Sequence, residues 1–252
     1  MPATDAPEFS AISSAQPTVD DHRRTRLLET ELRKAGRIET RAQREQRESV
    51  MVGLAELIDS WAVRVADSLP LGGHPAFAKV HILPFGSYRL GVNAPNADID
   101  TVLVVPKHFQ RERDFFGRAD PVLGQRWKTK PRNILANCLR EDPRVVDLVE
   151  VADGHTPIMT FVFSGIEIDI GFAQVARDYL PDTIDRVGDD LLIGADEYAA
   201  RALNGTRVAD AICDVVKAAG SDLETFRLAL RCVKLWASRC ATAKARPATT
   251  HV

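Results

Sequence analysis

Apolar positions along the chain follow two different periods, and the period changes twice. Val50, Met51, Leu54, Leu57, Ile58, Trp61 and Val65 fall at steps of three and four, the pattern of one helix face. Thr40 followed by Gln43 predicts a capping box ahead of them, and Pro70 with the Gly72-Gly73 pair predicts the stop. The preceding stretch, His22 to Ser49, carries nine Arg/Lys against five Glu and reads as a charged helical stretch broken at Gly36. The middle then shifts to short β-branched runs. Val80 to Phe85, Ile99 to Val105, Thr156 to Phe163 and Ile166 to Phe172 predict buried strands, the last two joined by a Ser164-Gly165 hairpin turn. Residues 107–144, with ten Lys/Arg and five Asp/Glu, predict helix and loop. After Asp178 the helical pattern returns. Asp196 predicts one cap, and Ser221 with Glu224 predicts a second capping box. Phe226, Leu230, Val233 and Ala237 predict the apolar stripe of a helix beginning near Asp222. Helices, a small mixed sheet, then helices make an α+β domain leading into a helical one.

Composition narrows the class. The chain has 252 residues, 45% hydrophobic and 27% charged, enough for a buried core in one or two domains. A net charge of −2 argues against a basic nucleic-acid coat, so the basic stretch from His22 reads as a solvated helix face, with contact to RNA phosphate as the alternative. Cys138, Cys213, Cys232 and Cys240 form no C-x-x-C pair, which argues against a structural zinc site and a disulfide framework. The start lacks an apolar stretch, and no run of about 18 apolar residues occurs, so secretion and membrane spanning are not expected and an intracellular protein is. Residues 1–20, rich in Ala, Ser, Pro and Thr, read as a flexible tail.

Chemistry concentrates at Ala97-Asp98-Ile99-Asp100-Thr101, the mouth of an apolar strand. Side chains at i and i+2 share a strand face, so Asp98 and Asp100 point together. Carboxylates held that close repel unless a cation sits between them, and a hard divalent cation accepts such oxygens together with substrate phosphates. Upstream, Gly86-Ser87 follows a strand and opens a short helix, a place where backbone and hydroxyl donors meet phosphate oxygens. Downstream, Glu167 and Asp169 alternate with isoleucines on the polar face of another strand. Asp169 completes a three-carboxylate set, whereas Glu167 reads as an exposed strand residue. No G-x-x-x-x-G-K-[ST] or G-x-G-x-x-G occurs, leaving a P-loop kinase and a Rossmann dehydrogenase unsupported. These parts describe a two-metal nucleotidyltransferase, one ion activating an attacking hydroxyl and the other clamping the leaving pyrophosphate.

The segments FGSYRLGVNAPNADIDTVLVVPKH, GIEIDIGFA, RALNGTRVAD and FRLALRCVKLWA, in collinear order from about residue 18 to about residue 240, closely resemble the eukaryotic nuclear poly(A) polymerase family. The resemblance implies a polymerase-β-like nucleotidyltransferase domain with N-terminal helices over 21–178, part of a helical middle domain over 179–241, and a tail outside the family pattern over 242–252. It implies that Asp98, Asp100 and Asp169 are the metal-binding catalytic triad and that Phe85, Gly86 and Ser87 line the nucleotide, with Ser87 on its phosphates. Ala94 matches a nucleotide-contacting position, Asn204 one that reaches the incoming nucleotide, and Lys234 one on its triphosphate; read by itself, Lys234 is a snorkelling surface lysine. Two magnesium or manganese ions, ATP as substrate, an RNA 3′ end as acceptor, cleavage and polyadenylation factors as partners and a nuclear location follow from the same resemblance. The chain departs from the family at Asn93, where relatives carry histidine, and at Thr160, where they carry a primer-contacting lysine. The match stops near Arg239, before the rest of the middle domain and an RNA-recognition-like C-terminal domain. The expected function is the catalytic region of a polynucleotide adenylyltransferase, truncated and for that reason weakly active. The alternatives are a nucleotidyltransferase of other nucleotide specificity and a non-catalytic module that binds partners.

Overall fold

The structure, a computed structural model, describes residues 15–69, 74–120, 122, 124–125 and 127–244. Two helices open it, α1 (Val19–Lys34) and α2 (Arg41–Asp67), separated at Gly36, whose φ is 62°. Both begin with a reciprocal capping box, Thr18 with Asp21 and Thr40 with Gln43. Val19 and Asp20, assigned to the tail by composition, already belong to α1. The predicted stop at Pro70 and Gly72-Gly73 lies outside the described residues; α2 ends at Asp67, with Ser68 as its C-cap.

The five strands are β1 (His81–Pro84), β2 (Ile99–Val105), β3 (Val145–Val151), β4 (Ile158–Phe163) and β5 (Ile166–Gln174). They form one mixed sheet in the order β1-β2-β5-β4-β3, with β2 and β5 parallel and every other pair antiparallel. The β4–β5 hairpin turns on Ser164 and Gly165, both at positive φ (48° and 84°), as a tight hairpin connection requires. Strand β3, at the sheet edge, was not expected. Its alternation is interrupted by a register shift between Val146 and Val149, with Asp147 at φ 56°.

Short helical turns at Arg111–Phe116 and Pro131–Asn133 and the helix α4 (Leu135–Glu141) fill the charged middle segment, following the five-residue helix α3 (Gly86–Leu90) that leads from β1. One sheet face packs Ile99, Leu103, Ile168 and Ile170 against Leu54, Ile58 and Trp61 of α2. The other packs Val102, Val104 and Ala173 against Ala202 and Leu203 of α6 (Glu197–Ala218) and Leu191 of α5 (Asp189–Leu192). Strand β2 is covered on both faces beyond Asp100, which is why its sequence is a continuous apolar run. Asp196 caps α6 through the Ala199 N–H at 2.7 Å.

Helix α7 (Leu223–Lys244) corrects two expectations. Asp222, not Ser221, caps it, accepting from the Thr225 N–H at 2.9 Å. The predicted stripe is not the packed face: Phe226 and Leu230 are half-buried, but Val233 and Ala237 are exposed. The helix instead turns polar groups inward, Arg227 to the Leu90 carbonyl, Arg231 to the Gly91 carbonyl and Ser238 to Arg37. No helix of the described residues is long and apolar enough to cross a membrane.

Candidate active site

The parallel register of β2 and β5 sets Asp100 directly beside Asp169, and Asp98 lies one step before β2 begins. One carboxylate oxygen each from Asp98, Asp100 and Asp169 lies within 4.8 Å of the others, and all three residues are half-buried. Burial first, then the charges of Asp98 and Asp169, push the Asp100 carboxyl above its ordinary value, while Lys234 opposes the rise. Three carboxylates converging this closely suit a hard divalent cation, which would relieve their mutual repulsion. Glu167, two residues before Asp169, is exposed, as expected.

Asp169 is fixed from both neighbouring strands. Thr160, its antiparallel partner on β4, donates its hydroxyl to Asp169 Oδ1 at 2.7 Å. Thr101 on β2 donates its hydroxyl to the Asp169 main-chain carbonyl at 3.0 Å.

The Phe85-Gly86-Ser87 turn is built onto the same cluster. The Phe85 N–H donates to the Asp100 carbonyl at 2.9 Å. Gly86 has φ 59°, and a Cβ there would collide with the Asp100 carboxylate, so only glycine fits. Ser87 is the second residue of α3 and half-buried. Arg89, on the same short helix, pairs with Asp210 of α6 at 2.7 Å and anchors α3 to α6. A Cβ on Gly205 would stand 2.7 Å from the Phe85 ring, so that glycine lets α6 press against Phe85 and brings the exposed Asn204 to this end of the molecule.

The loop leading to Asp98 is held by a residue that sequence reasoning missed. Arg47, assigned to a solvated helix face, is 2% exposed. Its Nη2 donates to the carbonyls of Ala94 (3.2 Å), Pro95 (2.9 Å) and Ala97 (2.6 Å), and its Nε to Glu39 at 2.5 Å. The signal was present: Arg47 stands three residues before Val50 and seven before Leu54, on the apolar face of α2. Ala94 thus lies in a loop that the Arg47 guanidinium clamps just ahead of Asp98. Lys234 is exposed on α7, and its charge reaches Asp100.

A family model of the poly(A) polymerase nucleotidyltransferase domain matches residues 10–216. The chain belongs to that family. Nuclear poly(A) polymerase 1 of Arabidopsis thaliana is 38% identical over 231 residues, covering 90% of this chain and 29% of that protein. The poly(A) polymerase of Dictyostelium discoideum is 35% identical over 232 residues, 90% of this chain and 26% of its own length. Poly(A) polymerase pla1 of Schizosaccharomyces pombe is 34% identical over 229 residues, 90% of this chain and 37% of its own length. This poly(A) polymerase domain thus spans roughly a quarter to just over a third of the relatives it matches. Its mixed sheet flanked by helices is the α+β nucleotidyltransferase fold that the sequence resemblance implied.

Proposed function

We propose that the chain is the catalytic region of a polynucleotide adenylyltransferase, in which ATP and an RNA 3′-hydroxyl give RNA one adenylate longer plus pyrophosphate. The observation that carries this reading is the convergence of Asp98, Asp100 and Asp169 within 4.8 Å, inside a domain of the poly(A) polymerase family. Two magnesium or manganese ions held by these carboxylates would supply the Lewis acidity that activates the hydroxyl and neutralises the leaving pyrophosphate. Asp98 and Asp100 would hold the ions beside the triphosphate, and Asp169 would orient the attacking hydroxyl. Gly86 allows close approach to the phosphates, with Ser87 donating to them. Phe85 and Asn204 line the nucleotide, Ala94 contacts it from the clamped loop, and the exposed ammonium of Lys234 neutralises the triphosphate. Positioning of this kind carries most of the catalysis in phosphoryl transfer.

A nuclear location and cleavage and polyadenylation factors as partners belong to the same proposal, supported by the Arabidopsis relative's name. So does a division near residue 178 between the nucleotidyltransferase domain and a helical segment. The test is nucleotide incorporation on an oligo(A) primer with ATP, GTP, CTP and UTP in turn, with manganese as the metal. Weak, ATP-selective extension that Asp169→Asn abolishes is the expected result. Extension with UTP or CTP in preference would assign another specificity, and no incorporation with any nucleotide would favour a partner-binding module.

A further inference from the structure

One ladder row crosses three strands as Asp100, Asp169 and Thr160, directly paired in sequence across β2, β5 and β4. Directly paired residues project to the same sheet face, so the three side chains form a line. Asp169 stands in that line with another carboxylate on one side and a hydroxyl on the other. A carboxylate beside two like charges turns away from them unless something holds it. The Thr160 hydroxyl has a single proton, and it donates that proton to Asp169 Oδ1 at 2.7 Å. Among the described residues no other side chain donates to this carboxylate. Thr160 is β-branched and sits within a strand, so its χ1 rotamer is restricted. The bond uses one oxygen of Asp169, and among the described residues no side chain donates to the other. The next residue along the row, Val149, is apolar and 55% exposed, so the polar line ends at Thr160.

We infer that Thr160 is a positioning residue for Asp169, setting the rotation of its carboxylate toward the other two acids. The inference rests on the metal-site reading of the three aspartates. Thr160→Val keeps the shape and the β-branch and removes only the donor, while Thr160→Ser restores it. The probe is manganese alone, titrated into the 252-residue chain and followed by the magnetic-resonance signal of the free ion. Thr160→Val should weaken manganese binding about tenfold, the usual size for losing a partner that orients a metal ligand, and Thr160→Ser should bind like wild type. In primer extension the same valine variant should lose turnover by about tenfold with the KM for ATP unchanged. Manganese binding by Thr160→Val equal to wild type would overturn the inference. Asp169→Asn separates the two levels. If it binds manganese as wild type does, the metal site itself is wrong; if it loses binding while Thr160→Val does not, only the role of Thr160 fails.

Discussion

The Arg47 guanidinium donates to the Ala97 carbonyl at 2.6 Å, joining a buried helix position to the residue immediately before the first clustered aspartate. The same group holds Glu39, whose side chain is 10% exposed, so the loop clamp contains a buried ion pair. Removing one partner of such a pair leaves a stranded charge and costs about 3–5 kcal/mol. Arg47→Met should therefore lower the urea midpoint by a corresponding amount. Arg47→Lys, which keeps the charge but lacks the planar fork, should lose less. An Arg47→Met chain within about 1 kcal/mol of wild type would show that the clamp is slack.

Gly86→Ala tests the contact between α3 and the acids. The substitution forces a side chain into positive φ and against the Asp100 carboxylate. Strain at such a position costs about 1–2 kcal/mol, and the displaced carboxylate should weaken divalent binding as well. Melting curves with and without manganese separate the two effects. A variant that loses stability yet keeps the full manganese shift would mean that Asp100 had not moved.

Asp100 gives the fold a defined pH dependence. Burial, then the charges of Asp98 and Asp169, raise its folded-state value above that of an unfolded chain. The folded form then binds the proton more tightly, so this group's contribution to stability falls as pH rises through the interval between the two values. Above that interval the ionised carboxylate is a standing penalty. Metal-free Asp100→Asn should consequently melt above wild type at neutral pH, with the difference closing as the pH falls through the raised value. Saturating manganese should reverse the order, because only wild type gains the bound ion. A metal-free variant that melts below wild type at pH 7 would contradict the electrostatic account.

Much of the site is legible in local sequence. Asp98 and Asp100 stand at strand spacing, Asp169 alternates with isoleucines, and Gly86 opens a helix directly after a strand. What is not local is the pairing of β2 with β5, residues 99 and 168 in register, which brings the third acid to the first two. Periodicity contains no such information: the alternation marks Asp169 as a candidate third acid, and the register itself comes from the fold. Arg47 was hidden by its neighbours, one basic residue among many, although its helical phase with Val50 and Leu54 marks it as buried. Strand β3 was hidden by its bulge at Asp147, which breaks the alternation. Apolar spacing does not identify the packed face of α7, because polar acceptors decide it. The carbonyls of Leu90 and Gly91, more than a hundred residues earlier, draw Arg227 and Arg231 inward. Ser221 and Asp222 are adjacent and both competent to cap, so composition alone does not choose between them.

The central claim is that Asp98, Asp100 and Asp169 form one divalent-metal site for a nucleoside triphosphate. Thermal unfolding of the 252-residue chain with manganese and ATP, in wild type and in Asp98→Ala and Asp100→Ala, tests it most directly. A ligand at a hundredfold excess over its Kd stabilises the fold by about 2.7 kcal/mol. The account predicts a clear upward shift of Tm in wild type, requiring both manganese and ATP for its full size, and its loss in either variant. Equal manganese- and ATP-dependent shifts in all three chains would contradict it.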